Sequence, residues 1–450
     1  MSYRNPRFSY AHEMADQGDA AFHEVDTDPD FTEARTRLFD YQRGLLASQP
    51  DVTSATIGVM RFDKDTSLST GAHQLLRLII PPGHNLALDR CFRFKLDATV
   101  PEVDPSDAID WFCVSGNQFP IVIDLEDIEA NRYATQLNWE YTESFTSLPF
   151  NVGELWWTNL VQTVQGIQQS QWPDNQIPTL TQTQMLDGST FNRVDGPPRR
   201  RLNLTHVRAS AADLKLYEEL TRRTAYGARP FWYEHPDSGG AVTEISELSD
   251  HTTDIPSSAN CTLSTVSTGA PDGATDSIKG TSDASGQASM DVYLDTASTS
   301  LDCRNLIFQF DIKLDATAAT WLLLDSDLRL LVVNDDPYGY AVMDIGSAFI
   351  KDTRSTEWIR FQIHMQDFDT ELGNDGLNQA AGWKFTFIWQ PDAITQPIEI
   401  SSLNVIDATK LPVQVEIVPG SISRDQSSPA PKSGPGPVYD ISMQMIEVTS

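Results

Sequence analysis

The chain has 450 residues, too many for one ordinary core, so two or three domains are expected. An apolar content of 40% supports packed cores and excludes a disordered chain, and no apolar run is long enough to span a bilayer as a helix. The formal charge of −31, from 9 Lys and 23 Arg against 44 Asp and 19 Glu, argues against a nucleic-acid partner, which needs a basic face.

Aspartate in excess of glutamate, with so little lysine, fits a surface adapted to high salt, where the screening length shrinks to about 3 Å. The plainer reading is a merely acidic, soluble chain. The first residues, MSYRNPRFSYAHEM, lack the apolar core of a secretory signal. The expectation is a protein that stays where it is made, or leaves by lysis or inside a particle.

In chain order, residues 1–29 read as a polar arm. Asp30 and Glu33 form a capping pair, and Phe31, Ala34, Leu38, Tyr41 and Leu45 make one apolar stripe, which predicts a helix over 31–47. Residues 51–150 change period. TIGVMRF, QLLRLII, CFRFKLDAT, WFCVSG and FPIVIDL are short β-rich runs of an antiparallel sandwich or barrel, while the ambiguous GELWWTNLVQTVQGI fits a helix better than a strand. Residues 170–195 read as a loop rich in Gln, Thr and Pro.

Residues 199–236 predict strand, helix, strand. Leu202 and Leu204 alternate with polar neighbours; Ser210 caps a helix, with Asp213 three positions on. Arg222 and Arg223 occupy its last turn, Gly227 stops it, and Phe231, Trp232 and Tyr233 alternate beyond. Residues 241–300 are either a linker or polar edge strands, ASMDVYLD the best of them. From 301 the β pattern is strong. SRDQSSPAPKSGPGP (423–437) reads as a flexible linker, and VYDISMQMIEV (438–448) as a strand that returns to complete a sheet.

One internal echo stands out: FRFKLDATV (92–100) against FDIKLDATA (310–318), either a trace of two related domains or chance likeness between strands. The fold class expected is mainly β, two jelly-roll-like β-sandwich domains joined by a small α/β module. The boundaries are 1–50 (arm and helix), 51–170 (first sandwich), 171–245 (module) and 246–450 (second sandwich).

No catalytic motif is present, and the eight histidines are scattered. His206 reads as a packed residue. DFDTELGNDG (367–376) and NDDPYG (334–339) carry oxygen ligands that Ca2+ could use, but neither keeps the EF-hand spacing, and plain turns explain them. The four cysteines, Cys91, Cys113, Cys261 and Cys303, hold no CxxC; Cys91–Cys113 and Cys261–Cys303 are conceivable pairs, and free buried thiols the alternative. For glycan contact the better candidates are Tyr338 and Tyr340 in a Gly-containing turn, with Trp383; core packing explains Trp358 and Trp389.

The segment DGSTFNRVDGPPRRRLNLTHVRASAADLKLYEELTRRTAYGARPFWYEHPDSGG resembles, in layout, a module of distal-tail and tail-tip or baseplate proteins of tailed viruses. The likeness covers roughly 55 residues. It implies a non-enzymatic structural protein of a virion, assembled in the host cytoplasm, whose partners are further copies of itself and other tail proteins. It also implies outward-projecting sandwich domains like carbohydrate-binding modules. This chain departs from that pattern by carrying a large domain ahead of the module.

The residues agree with an assembly role. A 38-residue strand–helix–strand buries too little alone and must dock on neighbouring domains or subunits. Arg199, Arg200 and Arg201, with Arg222 and Arg223, suit acidic partners, and Phe231, Trp232 and Tyr233 are interface-anchoring types. The competing reading is that the arginines balance carboxylates within the chain. The alternative function is glycan-binding host adhesion or capsid decoration at a turret or neck; the remotest is an exported polysaccharide hydrolase. No membrane insertion is expected.

Overall fold

A computed structural model describes residues 7–9, 22–24, 47–49, 57–64, 73–74, 77–84, 86, 88, 92–97, 111–115, 118–124, 133–134, 136–142, 150–152, 154–158, 161–162, 176–184, 190–234, 242–247, 251–255, 257–267, 276–283, 287–293, 305–314, 327–335, 338–346, 358–372, 383–389, 397–428 and 437–448. The fold is mainly β, with two sandwiches and a helix-covered sheet. The helix expected over 31–47 lies outside the described residues.

The strand–helix–strand segment forms as its residues dictate. Helix Ala211–Arg223 opens on a capping box: Ser210 Oγ accepts from the Asp213 amide at 3.1 Å, and Asp213 Oδ2 accepts from the Ser210 amide at 3.1 Å. Arg222 and Arg223 in the last turn face the negative end of the helix dipole. The helix ends at Thr224, and a 3-10 turn, Ala225–Gly227, follows before the expected stop at Gly227.

This segment does not stand alone. Its eight-stranded sheet runs 161–162, 7–9, 231–234, 413–417, 438–447, 190–209, 176–184, with 423–428 paired on 438–447. The arm thus supplies a strand, Arg7–Ser9, and the last strand, Val438–Glu447, sits inside the sheet as anticipated. The supposed linker begins as strand Ser423–Ser428. Tyr217 and Leu220 of the helix pack with Phe8, Phe231, Tyr233, Ile417, Met443 and Met445 in one core.

Two local expectations are corrected. Trp156–Thr158 and Val161–Gln162 are strands, not helix, because they pair with Arg77–Ile79 and with Arg7–Phe8, and such pairing overrides a weak helical period. Residues 176–184 and 190–200 form an antiparallel ribbon, not a loop. The first of its two register shifts falls at Pro178 opposite Pro197 and Pro198, where prolines are tolerated because no ladder amide is needed; the second skips Asp195.

The two sandwiches share one eleven-stranded sheet. Its first half is ordered 22–24, 57–64, 136–142, 92–97, 111–114, antiparallel throughout. The second half, read from its own outer edge, is ordered 261–266, 277–282, 397–407, 306–314, 359–364, again antiparallel. In each half the second and third strands in chain order are separated by a strand of the opposing sheet, as are the last two. These pair in the same way, 77–80 with 121–124 and 288–293 with 383–389. One seven-strand path is therefore traced twice, and the KLDAT echo marks the same strand in both copies.

The halves join at a parallel seam, Trp111–Val114 against Ile359–His364. Neighbouring residues at the seam serve opposite faces of the shared sheet. Phe361, opposite Cys113, belongs to the large second core with Phe308, Phe310, Phe385 and Phe387. Phe112, opposite Arg360, instead stacks on Phe92 at 5.6 Å on the other face.

Candidate functional site

The second sandwich closes with a six-stranded sheet in the order 257–259, 288–293, 383–389, 328–335, 338–344, 369–372. Residues alternate between its faces. Ala288, Met290, Val292, Leu328, Leu330, Val332, Ala341, Phe385, Phe387 and Trp389 line the core. The alternate set faces outward, in transverse rows set by the register. One row is Lys384, Val333 and Tyr340; the next is Asp291, Thr386, Leu331, Val342 and Asp369; the third is Ser289, Ile388, Arg329 and Asp344.

An apolar strip of Ile388, Leu331, Val333, Val342 and Tyr340 crosses this face, with Lys384, Thr386 and Arg329 beside it on the two central strands. Leu331, Val342, Ile388 and Tyr340 are half-buried, while Asp344 and Asp369 at the edge are exposed. Thr386 Oγ1 donates to Asp291 Oδ1 at 2.8 Å, Lys384 Nζ lies 3.7 Å from Asp291 Oδ2, and Arg329 Nε lies 3.0 Å from Asp344 Oδ1. A five-strand row spans about 19 Å, since neighbouring strands stand about 4.8 Å apart.

Tyr338 and Tyr340 belong to strand Tyr338–Asp344, not to a turn, with Tyr340 opposite Val333 and Tyr338 opposite Asp335. Trp383 is opposite Asn334, in register with the core series Phe385, Phe387 and Trp389, so its position alternates with that of the tyrosines. The side chains of Tyr338 and Trp383 lie outside the described residues. Trp358 and Trp389 are buried, as expected of packed residues. Leu331, Val342 and Ile388 escaped sequence reading, because a half-buried outer strip and a core strip look alike in one strand.

The equivalent outer face in the first sandwich is covered by the chain itself. Trp156, Ile79 and Val122 form one row of the sheet 156–158, 77–80, 121–124, and Trp232 packs on them. The Trp156 and Trp232 rings meet edge-on at 6.2 Å, and Arg77 Nη1 donates to Glu234 Oε2 at 3.0 Å in a largely buried pair.

This places the residues expected at an assembly interface. Phe231, Trp232 and Tyr233 are buried inside the chain, Phe231 and Tyr233 under the helix and Trp232 against the first sandwich, so their side chains offer no outer surface. The residue types that anchor interfaces also fill a strand covered on both faces, and one sequence cannot tell the two apart. Arg199 is exposed; Arg200 lies 3.4 Å from Glu447. Arg222 and Arg223 both bind Glu219, at 2.6 and 2.9 Å, and hold its carboxyl below the usual range.

His206 is fully buried, its Nδ1 3.3 Å from the Tyr217 hydroxyl, and burial lowers its pKa. Among the described residues no group of three or more His, Cys, Asp or Glu is placed to hold a metal ion. The two acidic stretches supply strand instead, through Asp369–Leu372 and through Asn334 and Asp335. Cys113 is disulfide-bonded, whereas Cys261 is a free thiol, which corrects the Cys261–Cys303 pairing. No described helix is long and apolar enough to cross a membrane.

The class defined by these features is a mainly β, two-sandwich protein. No family model and no curated protein sequence matches the chain. Among solved structures it is similar to a family 11 carbohydrate-binding module of a cellulosomal cellulase of Clostridium thermocellum, at 12% identity over 37% of this chain and 94% of that one, TM-score 0.26. It is similar to a family 30 carbohydrate-binding module at 14% identity over 37% of this chain and 87% of that one, TM-score 0.28. A third is a mannohexaose-bound carbohydrate-binding module of Caldicellulosiruptor saccharolyticus, at 11% identity over 40% of this chain and 97% of that one, TM-score 0.23. Likenesses of this size fix neither ancestry nor ligand, and the functional reading stands on the chain's own residues.

Proposed function

We propose that the chain is a non-catalytic glycan-binding protein, and that the outer face of the six-stranded sheet takes the saccharide. One observation carries this: a strip of Leu331, Val342, Ile388 and Tyr340 lies where a solvated sheet face would be polar, edged by Asp291, Lys384, Thr386, Arg329 and Asp344. Sugar rings present apolar C–H faces and a rim of hydroxyls, which such a strip matches with a ring to stack on and charged groups to bind the rim. Two carboxylates of the face, Asp291 and Asp344, are paired with Lys384 and Arg329, an arrangement suited to holding hydroxyls.

This reading takes precedence over the virion assembly role expected from residues 187–240, since the aromatic anchors on which that role leaned are enclosed. The test is calorimetric titration of the full chain with a panel of soluble β-glucans, mannans and xylans. Saturable binding at one site per chain, weakened at least tenfold by Tyr340→Ala, is expected. Absence of binding to every member, or binding indifferent to Tyr340→Ala, would overturn it.

A further inference from the structure

The end of helix Ala211–Arg223 holds a second surface, remote in sequence from the sheet face. Ala225, Tyr226 and Gly227 all have positive φ, at 48°, 60° and 98°. Two of the three are not glycine, and each L residue there is strained by its Cβ. The turn is nevertheless clamped. The Thr224 carbonyl accepts from the Gly227 and Arg229 amides, both at 3.0 Å, and Gly227 lies so close to the Ile417 carbonyl that an added Cβ would stand 2.4 Å from its oxygen.

The strain displays one side chain. Tyr226 is 74% exposed and is the only large hydrophobic residue so exposed among the described residues. Around it in sequence stand Arg222, Arg223 and Arg229, all exposed. On the neighbouring strand Arg424 Nη1 donates to Glu218 Oε1 of the same helix at 2.9 Å. Arg222 and Arg223 share Glu219, Arg424 takes Glu218, and Arg229 adds a fourth cation, in a chain whose overall charge is −31. A rigid tyrosine set among guanidinium groups combines the side-chain types that dominate protein interfaces, and backbone strain persists where the surroundings enforce it.

We infer that this Tyr226 corner is a docking surface for the acidic face of a second copy of the chain. Charge selects the occupant: the rest of the molecule supplies the excess of carboxylates, and the corner supplies the local cations that let two such molecules approach. Charge also selects the geometry. Two basic corners repel, so the contact is heterologous, corner to acidic face, and not a two-fold pairing of corners. The inference is independent of the glycan reading, because it uses none of the sheet-face residues.

The test is sedimentation velocity of the full chain across the micromolar range, at about 0.15 M and about 1 M salt. The wild type should associate at the lower salt and dissociate at the higher. Arg229→Glu should weaken association at least tenfold. Tyr226→Gly should do the same while its melting temperature stays equal or rises, because glycine relieves the left-handed backbone. Residues whose role is only to support the fold would not lose association while keeping stability. A wild type that stays monomeric in both salts sinks the inference, as does association left unchanged by both variants.

Discussion

Arg360, on the seam between the two half-sheets, donates to both carboxylate oxygens of Asp311 on the next strand, at 2.8 and 2.9 Å. Ser402 Oγ donates to the same carboxylate at 3.0 Å, and the guanidinium lies 6.0 Å from the Phe112 ring centroid across the seam. Asp311 is fully buried, so removing its partner strands a charge. Arg360→Met should cost about 3–5 kcal/mol, and adding Asp311→Leu should restore most of that. Urea unfolding of the single and double variants gives the comparison; equal losses in both would show that the pair's geometry, not the orphaned charge, matters.

The glycines at positive φ differ in what surrounds them. Gly83, at +96°, has nothing within 4 Å of an added Cβ, whereas Gly227, at +98°, meets the Ile417 carbonyl. Gly83→Ala should therefore carry only the backbone penalty, about 1–2 kcal/mol. Gly227→Ala must also displace the strand, for about 2–4 kcal/mol in all. Thermal melts of the two variants should separate clearly.

Three buried histidines make the fold sensitive to acid. His84 is the strongest case: its Nδ1 accepts from the Leu86 amide at 3.3 Å, and burial lowers its pKa to about 4 from an ordinary 6.5. Burial also lowers His206 and His364, opposed by Asp213 and Asp367 respectively. The folded pKa lies below the unfolded one, so the unfolded chain binds more protons between them. Stability is full above about pH 6.5 and falls as pH drops toward 4, by roughly 2–3 kcal/mol from His84 alone. His84→Asn keeps a backbone acceptor and cannot titrate there. Its unfolding free energy should decline less between pH 7 and pH 4.5, measured in denaturant at both values.

Cys261 and Cys113 should separate by chemistry. Cys261 Sγ donates to the Ser289 carbonyl at 3.4 Å, and burial is the main cause raising its thiol pKa. Native protein at neutral pH should alkylate there slowly, since the thiolate is the reactive form, and unfolding should speed the reaction. Cys113 should be labelled only after reduction. Peptide mapping after iodoacetamide, with and without reductant, reads both. Prompt labelling of Cys113 without reductant would contradict the structure.

Local chemistry was legible in the sequence, and long-range pairing was not. Ser210 and Asp213 announced the helix start because a capping box needs only four consecutive residues. The alternation from Tyr439 to Met445 announced a strand, because only Ile441, Met443 and Met445 among its inner positions had to be buried. The KLDAT echo was legible because FRFKLD and FDIKL hold the same place, third in chain order, in the two halves of the shared sheet. Trp156 and Val161 misled because their partners, Ile79 and Phe8, lie far away in sequence and carry no local mark. The outer strip at Leu331 and Val342 was hidden for a similar reason: its two strands alternate apolar with apolar, and only the sheet order tells which side faces out.

The seam also sets a timetable for synthesis. Strand Trp111–Val114 finds its parallel partner only when Ile359 and beyond have been made, some 245 residues later (359 − 114). At ribosomal speeds of about 5–20 residues per second that is roughly 12–50 s, during which the four-residue edge Trp111–Val114 of the nascent first half lacks its partner strand. A cell producing this polypeptide must shield that edge or make it slowly enough to stay dilute, and codon choice between the two halves becomes a lever on yield.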